Sequence, residues 1–284
     1  MTINKTQVAA DASVSRRSLY YHPLLPAKDE ALKQLILTTW KDKTYVAYGH
    51  KRLALHLKLN KKRILRVMKK FNLHPPRRRT KQPVKPEDIG KEEVKLPNLL
   101  WNKDAKQFVE ITSPNQAWAQ DFTYLWFMGR FWYLATVIDV YTKEILGFAI
   151  SDTHDVDLVL TALRNALKST SRKPDILHSD QGSEYTSEAY QIFVTGCGIK
   201  LSYSRKSSPW QNGFQESYYN NFKLDLGHLS QFRNPGQLAE GVYQTIYLYN
   251  NKRMHTTIKM TPKQFYQQHQ LLLISADYTS QVSA

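Results

Sequence analysis

The amino-acid sequence predicts an α/β protein in which an all-α module precedes a core built on a mixed sheet. Two observations lead to this fold class. Apolar residues recur at helical spacing through the first 74 residues. After residue 114, strand-like segments rich in aromatic and β-branched residues alternate with helix-like segments.

Charge is also distributed unequally between the N-terminal module and the core. Residues 1–110 hold 25 of the 40 Lys and Arg residues and 10 of the 24 Asp and Glu residues, and so carry +15 of the net +16. A basic unit beside a near-neutral one favours a polyanion-binding module joined to a second activity. A merely basic, soluble surface is the alternative.

The basic module is expected over residues 1–74. Helical segments are predicted at residues 6–12, 16–21, 28–40, 49–59 and 61–71. Pro23 and Pro26 should end the second segment, and Asn60 should form the turn before the last. That last segment carries Arg63 and Arg66 beside its apolar side. Helix, tight turn and basic helix in this order are typical of a helix-turn-helix DNA reader, although short basic helices also pack together in other contexts.

Residues 75–113 have no periodicity and are dense in Pro, Lys and Glu, which predicts an extended basic linker. Arg77, Arg78 and Arg79 are consecutive, and they repel one another unless phosphates offset their charge. We therefore expect this linker to follow a DNA backbone. A solvated connector without a further role is the alternative.

The core is expected over residues 114–270, followed by a tail at 271–284. Strands are predicted at 117–127, 131–139, 144–150, 175–178 and 199–203, and helices at 155–168, 187–195 and 209–226. Three antiparallel strands followed by helix, strand, helix, strand and helix match the order of a ribonuclease-H-like domain. Such a likeness of fold says little about function.

Three carboxylates fall at informative places in that order. Asp121 is in the middle of the first strand, Asp180 is just past the fourth, and Glu216 is in the last helix with 35 residues between it and Asp180. An acid within an apolar strand is costly unless it binds a cation. Phosphodiester cleavage by two Mg²⁺ ions, with Mn²⁺ as a substitute, requires carboxylate ligands. We expect Asp121 to bridge both ions, and Lys223, two turns beyond Glu216, to hold a DNA phosphate.

Each acid also has an ordinary structural interpretation. Asp121 would be a solvent-facing strand residue, Asp180 a turn former and Glu216 a surface helix residue. Three other acids compete as ligands but are interpreted as turn or surface residues: Asp139, Glu184 and Asp225. The coincidence of three acids at matching elements favours the metal site.

Several motifs make the chain similar to a known family. They lie at residues 48–52, 60–64, 121–124, 178–185, 207–223 and 249–262. In them the sequence resembles the OrfB-type insertion-sequence transposases of the retroviral-integrase superfamily, over nearly the whole chain. The resemblance implies a DDE transposase that cuts the ends of a DNA element and joins their 3′-OH groups to target DNA. It also implies DNA contacts by Lys51, Arg52 and Arg253, and an active assembly of at least two subunits.

The resemblance has departures. Retroviral integrases carry a His/Cys zinc module, which a chain whose only cysteine is Cys197 cannot build. Many OrfB products act only when a frameshift joins them to an upstream product bearing a helix-turn-helix and a coiled coil, and no heptad run is visible here. We therefore expect such a partner. With no signal peptide or apolar span, the bacterial cytoplasm, in association with the nucleoid, is the expected location.

Two other functions remain open from the sequence. One is a domesticated DNA-binding protein without catalysis, and the other is a nuclease for RNA–DNA hybrids. Four tryptophans could stack on bases, although strand aromatics more often belong to a core, with Trp210 the best candidate. The four are Trp118, Trp126, Trp132 and Trp210.

Overall fold

The computed structural model describes residues 5–17, 24–76, 97–102, 107–205 and 209–282. Its N-terminal part contains four helices: α1 (Lys5–Asp11), α2 (Leu24–Lys41), α3 (His50–Leu57) and α4 (Lys61–Lys70). Leu32 and Ile36 of α2 pack with Leu53 of α3 and Ile64 of α4 in a small apolar core. Asn60 caps α4, since its side-chain oxygen accepts the Lys62 N–H at 2.8 Å.

One predicted boundary in this module is wrong. Pro26 does not end a helix but lies in the first turn of α2, where proline's missing N–H has no intrahelical partner to lose. Of the predicted segment at residues 16–21, residues 18–21 lie outside the described residues, as does Pro23.

The predicted linker contains structure that the sequence did not reveal. β1 (Trp101–Asn102) and β2 (Gln107–Phe108) form a short antiparallel pair. The chain just before them joins the core, because the Tyr203 N–H donates to the carbonyl of Pro97 at 2.9 Å. Arg77, Arg78 and Arg79 lie outside the described residues.

A five-stranded sheet forms the centre of the core. Its strands are β3 (Ala117–Phe127), β4 (Arg130–Asp139), β5 (Ile145–Ser151), β6 (Ile176–Ser179) and β7 (Lys200–Tyr203). The order is β5-β4-β3-β6-β7, with β4 antiparallel to its neighbours and β6 and β7 parallel to β3. This topology, with the helices that follow, confirms the predicted ribonuclease-H-like α/β core behind a helical module.

Within the described part of the chain, six α-helices accompany the sheet: α5 (Val156–Ser169), α6 (Ser183–Thr186), α7 (Glu188–Gly196), α8 (Gly213–Leu226), α9 (Pro235–Asn251) and α10 (Pro262–Val282). Because strand side chains alternate between faces, Trp118 of β3 packs with α5 and α7, whereas Ala119 packs with α8 and α9. Gly147 of β5 lets α5 approach closely, since a Cβ there would clash with the backbone of Ala162 and Ala166.

Two further boundaries differ from the sequence prediction. Residues 209–212 form a 3₁₀ turn, so that α8 begins at Gly213. The expected tail from residue 271 is instead a continuation of α10, which runs to Val282. None of the helices in the described part of the chain is long and apolar enough to cross a bilayer.

Candidate active site

Asp121 and Asp180 come together because β6 runs parallel to β3. The register pairs Ala119 with His178, and two residues further along, the same register brings Asp121 beside Asp180. β6 ends at Ser179, so Asp180 emerges from the end of a strand, where open α/β sheets commonly bind ligands.

The two carboxylates repel each other. Burial and the neighbouring Asp180 carboxylate raise the pKa of Asp121 well above its usual value. Burial raises the pKa of Asp180 as well, and the Glu184 carboxylate adds to that increase. Adjacent, half-buried carboxylates with raised pKa values are typical of functional sites, where a cation offsets their charge.

Local hydrogen bonds fix both side chains. Asp121 Oδ1 accepts the Phe122 N–H at 2.8 Å, and Asp180 Oδ1 accepts the Gly182 N–H at 3.0 Å. A Cβ at Gly182 would lie 3.1 Å from Asp180 Oδ1 and also 3.1 Å from Glu184 Oε2. Glycine at position 182 therefore allows the turn to pack closely against the carboxylates of Asp180 and Glu184.

Glu216 is placed differently from the two aspartates. Its neighbour Gln215 is fully buried and donates to the carbonyl of Ala119 at 2.6 Å, and Tyr219 donates to the carbonyl of Asp121 at 2.6 Å. These two bonds turn one face of α8 to the sheet, and Glu216, about 100° around the helix, is exposed. Among the described residues, no group of three or more His, Cys, Asp and Glu side chains could hold a metal ion. The structure thus joins Asp121 to Asp180 but leaves Glu216 outside the pair.

Lys223 lies close to this pair. Its positive charge lowers the pKa of Asp121, although burial and Asp180 outweigh it. Its Nζ also lies 4.9 Å from the centre of the Tyr124 ring. The ammonium is therefore near Asp121, on the α8 face that also bears Glu216.

Two acids interpreted as surface or turn residues are in fact largely shielded from solvent and paired with basic side chains. Glu184 is 7% exposed, and its Oε1 lies 2.7 Å from Nδ1 of His154. Asp225 lies 2.5 Å from Nε of Arg253. Their partners are 30 and 28 residues away in sequence, so local patterns gave no sign of either pair. Asp139 is the last residue of β4 and is 1% exposed, and its carboxylate accepts three backbone N–H groups, two of them from the turn that follows the strand.

The residues expected to bind DNA differ in their surroundings. Lys51 and Arg63 are exposed on α3 and α4. Arg66, half-exposed, forms an ion pair with Asp29 that Lys70 shares at 2.9 Å. Arg77, Arg78 and Arg79 lie outside the described residues.

Arg52 and Arg253 lie in the contact between the helical module and the core. Arg52 donates to Oδ1 of Asn221 at 2.9 Å, and Arg253, 3% exposed, donates to the same oxygen at 3.2 Å. Burial lowers the pKa of Arg52 to about 10. Both guanidinium groups are directed at α8, and the expected DNA contacts of Arg52 and Arg253 stay a prediction.

The four tryptophans that were considered for base stacking differ in exposure. Trp118 is fully buried and belongs to the core, whereas Trp126 is 39% exposed. Trp132 is half-buried. The side chain of Trp210 lies outside what the structure describes.

Sequence comparison agrees with the fold, which is that of a ribonuclease-H-like core. The Integrase core domain family matches residues 111–209, and a second Integrase core domain family matches residues 197–262.

Relatives come from bacterial insertion sequences. The chain is 34% identical over 172 residues to the transposase for insertion sequence element IS904 of Lactococcus lactis, across 60% of this chain and 66% of that protein. It is 31% identical over 240 residues to a 31 kDa protein of insertion element IS600 from Shigella sonnei, across 81% and 84%. To the putative transposase InsK for IS150 of Escherichia coli it is 28% identical over 264 residues, across 89% and 90%. The chain belongs to the insertion-sequence transposases of the integrase superfamily.

Proposed function

We propose that this protein is a DDE transposase that cuts DNA strands at the ends of an insertion sequence and joins them to target DNA. The observation that carries the proposal is the pair of adjacent carboxylates, Asp121 and Asp180, each with a raised pKa. A pair of this kind suits hard divalent cations, which prefer carboxylate oxygens.

Asp121, Asp180 and Glu216 would together hold two Mg²⁺ ions. Mn²⁺ can substitute for Mg²⁺. Glu216 shares its helix face with Lys223, whose charge acts on Asp121. When bound, the metal supplies an activated oxygen nucleophile and charge relief at phosphorus. Glu216 completes this set only if its side chain turns toward the aspartates.

The protein's own residues would position the DNA strand. The Lys223 ammonium offers a phosphate contact next to Asp121. Gln215 and Tyr219 fix α8 against β3 and so fix the distance between Lys223 and the aspartates. Lys51 and Arg63, exposed on the basic module, are suited to duplex phosphates, as are Arg77, Arg78 and Arg79.

The assembly would contain at least two copies of the chain, because two DNA ends must be joined. We also include in the proposal an upstream product supplied by frameshift, and a location at the bacterial nucleoid. Size-exclusion chromatography with light scattering, with and without DNA ends, measures the number of copies.

The test is a cleavage assay on a labelled duplex carrying the element's ends, with and without Mg²⁺. We expect Asp121→Asn, Asp180→Asn and Glu216→Gln each to lower strand cleavage by about a thousandfold or more, because each removes a metal ligand. DNA binding should change little.

Glu240→Gln is the matched control for Glu216→Gln, since Glu240 is also an exposed acid on a helix. Near-normal cleavage by any one of the three variants would remove that residue from the site. DNA binding by the wild-type chain without nicking in either Mg²⁺ or Mn²⁺ would instead favour a DNA-binding protein without catalysis.

A further inference from the structure

A cavity of about 360 Å³ lies against the flank of α8 that adjoins Glu216. Ser217 and Asn221, which line it, are about 100° and 140° around the helix from Glu216. Ser217 is exposed, so the cavity opens to solvent, and its volume is typical of sites that bind small molecules. We call this cavity the α8 pocket, and its walls include Lys143, Phe214, Ser217, Tyr218, Arg253 and His255.

The walls of the α8 pocket carry basic side chains but no acidic ones. Lys143, Arg253 and His255 line it, and among the described residues no Asp or Glu does. Arg253 is paired with Asp225, which is not part of the walls. That ion pair accounts for the charge of Arg253, but it leaves the charge of Lys143 without a partner of its own.

Lys143 is a partly buried cation. Its Nζ donates to the carbonyl of Val140 at 2.5 Å and lies 4.8 Å from the centre of the Phe214 ring. Burial lowers its pKa, and the opposing charge of Asp139 is already engaged by three backbone N–H groups. An ammonium has three donors, so two remain beyond the bond to Val140. An anion in the pocket would offset the cost of burying this charge.

Tyr218 adds a polar atom that the protein does not satisfy. Its side chain is 3% exposed and lines the α8 pocket, and in the part of the chain that the structure describes its hydroxyl has no hydrogen-bond partner. Buried hydroxyl groups are nearly always hydrogen-bonded, because an unmade bond costs free energy. An oxygen of a bound ligand would accept a hydrogen bond from this hydroxyl.

His255 presents a donor rather than a further charge. Its Nδ1 accepts the Thr257 N–H at 3.3 Å, which places the ring proton on Nε2. Burial and the charges of Lys143, Arg253 and Arg52 lower its pKa to about 4, so the ring is neutral at pH 7. Three cations that act on one imidazole show that the electrostatic potential in the pocket is positive.

The α8 pocket also has aromatic walls. The rings of Phe108 and Phe214 have centres 5.3 Å apart, and those of Tyr218 and Tyr249 have centres 5.0 Å apart. All four residues line the pocket. A bare oxyanion needs donors but no rings, whereas a nucleotide joins a phosphate to a flat base that packs on aromatic side chains. The walls therefore suit a nucleotide better than a phosphate ion.

We propose that the α8 pocket binds a nucleotide with a terminal 5′-phosphate, and that Lys143, His255 and Tyr218 donate to the phosphate. Phe214 faces the base. A free mononucleotide and the 5′-phosphorylated end of a DNA strand share this chemistry. Hydrolysis of a phosphodiester that leaves a 3′-OH on one fragment leaves the phosphate on the 5′ end of the other. The DNA end as a source rests on the proposed function, whereas the binding of a free nucleotide does not.

The test compares ligands that differ only in the phosphate, on the full chain in EDTA and about 0.2 M salt, which weakens non-specific contacts. The first pair is dTMP and thymidine, measured by isothermal titration calorimetry. The second is a 3′-labelled oligo-dT of about ten nucleotides with a 5′-phosphate or a 5′-hydroxyl, measured by fluorescence anisotropy. We expect the phosphorylated ligand to bind about 10- to 100-fold more tightly in at least one pair, the usual effect of charge-assisted hydrogen bonds.

The outcome of the two pairs identifies the source of the nucleotide. A preference for phosphate in the first pair alone supports a free nucleotide as the ligand, and a preference in the second pair supports the DNA end. Equal affinities within both pairs would overturn the proposal.

Three lysine variants assign the preference to the α8 pocket. Lys143→Gln removes the charge and should reduce the preference to less than about threefold, whereas Lys143→Arg keeps the charge and should retain most of it. Lys168→Gln, at an exposed lysine of α5, should leave the preference unchanged. A preference that survives in Lys143→Gln would place the phosphate elsewhere and reject the α8 pocket.

Tyr218→Phe keeps the test decisive if Lys143→Gln fails to fold. The variant retains the ring, and because the hydroxyl has no protein partner, the melting temperature of the free protein should be unchanged or higher. The preference for phosphate should nevertheless fall by about threefold or more. A lower melting temperature with an unchanged preference would show that the hydroxyl serves the fold, and would contradict the proposal.

Asp121→Asn separates this inference from the proposed function, because it changes a proposed metal ligand and leaves the α8 pocket intact. If Asp121→Asn still cleaves DNA while Lys143→Gln loses the preference for phosphate, the metal-site assignment fails and the α8 pocket stands. If Asp121→Asn is inactive while the wild-type chain shows no preference in either pair, the α8 pocket alone fails.

Discussion

Two acidic sites, one in each part of the molecule, have carboxylate pKa values that are shifted in opposite directions. In the helical module, Asp29 is fully covered and bonded to Arg66 and Lys70, and these hydrogen bonds hold its pKa far below the usual value. In the core, burial raises the pKa values of Asp121 and Asp180, and a neighbouring carboxylate adds to each increase: Asp180 for Asp121, and Glu184 for Asp180. The first acid is satisfied by the protein, whereas the other two lack sufficient positive charge. Such a deficit marks the place where an external cation should bind.

The largest expected effect follows from supplying that cation. Mg²⁺ at about 100 times its dissociation constant should stabilise the wild-type chain by about 2.7 kcal/mol, because it binds only the folded state. This corresponds to an increase in melting temperature of about 5–10 °C. Differential scanning fluorimetry with and without Mg²⁺ measures it.

Two variants control that experiment. Asp121→Asn should abolish the increase, and Glu240→Gln should retain it. An equal increase in melting temperature in all three proteins would mean that Mg²⁺ binds elsewhere. It would contradict the inference that the core site, unlike the Asp29 site, needs an external cation.

Removal of one charge from each site should change stability in opposite directions. In EDTA, Asp121→Asn should raise the melting temperature by about 2–4 °C, because it removes one of two adjacent like charges and keeps the acceptor for the Phe122 N–H. Asp29→Asn should lower it, because Arg66 and Lys70 lose their charged partner. Thermal unfolding followed by circular dichroism tests both. A destabilised Asp121→Asn would contradict the proposed repulsion.

The smallest effect is the pH dependence of these differences. The unfolded Asp has a pKa near 3.8, so below that pH Asp121 is protonated in both states and its repulsion is absent. As the pH rises through the higher pKa of the folded state, the wild-type chain loses stability relative to Asp121→Asn. For Asp29 the sign is reversed: its contribution is present above pH 3.8 and is lost as the pH falls through the lowered folded pKa.

Urea unfolding in EDTA at a series of pH values measures these differences in the free energy of unfolding. The advantage of Asp121→Asn over wild type should increase upward from about pH 4. An advantage that is constant with pH, or larger in acid, would show that charge is not its cause.

Periodicity and motif spacing allow the long strands and the two aspartates to be predicted from the sequence. β3 was predicted at its observed bounds because six of its eleven residues are aromatic or β-branched, which gives a long strand signal. β1 and β2 were missed because two-residue strands have no period. Asp121 and Asp180 were found as a set because each lies at a strand, and parallel pairing of β3 with β6 brings them together.

The sequence could not predict side-chain pairs whose members are far apart along the chain. Arg253 was expected at DNA because of the resemblance to the transposase family, and its partner Asp225 lies 28 residues away on another helix. Glu184 was interpreted as a surface residue because most glutamates are exposed, and only the fold brings His154 to it. The outward orientation of Glu216 follows from how Gln215 and Tyr219 hold α8, which no local pattern specifies.

The position of Asn221 restricts how the helical module can be exchanged in a chimaeric protein. Its amide oxygen receives guanidinium groups from Arg52 of the helical module and from Arg253 near the end of α9. Tyr48 reinforces this junction by accepting the Met254 N–H at 2.6 Å. A chimaera that exchanges residues 5–76 for those of a relative removes Arg52 and Tyr48 together. The incoming segment must therefore supply a donor for the amide oxygen of Asn221 and an acceptor for the Met254 N–H, or the junction between the two parts loses both bonds.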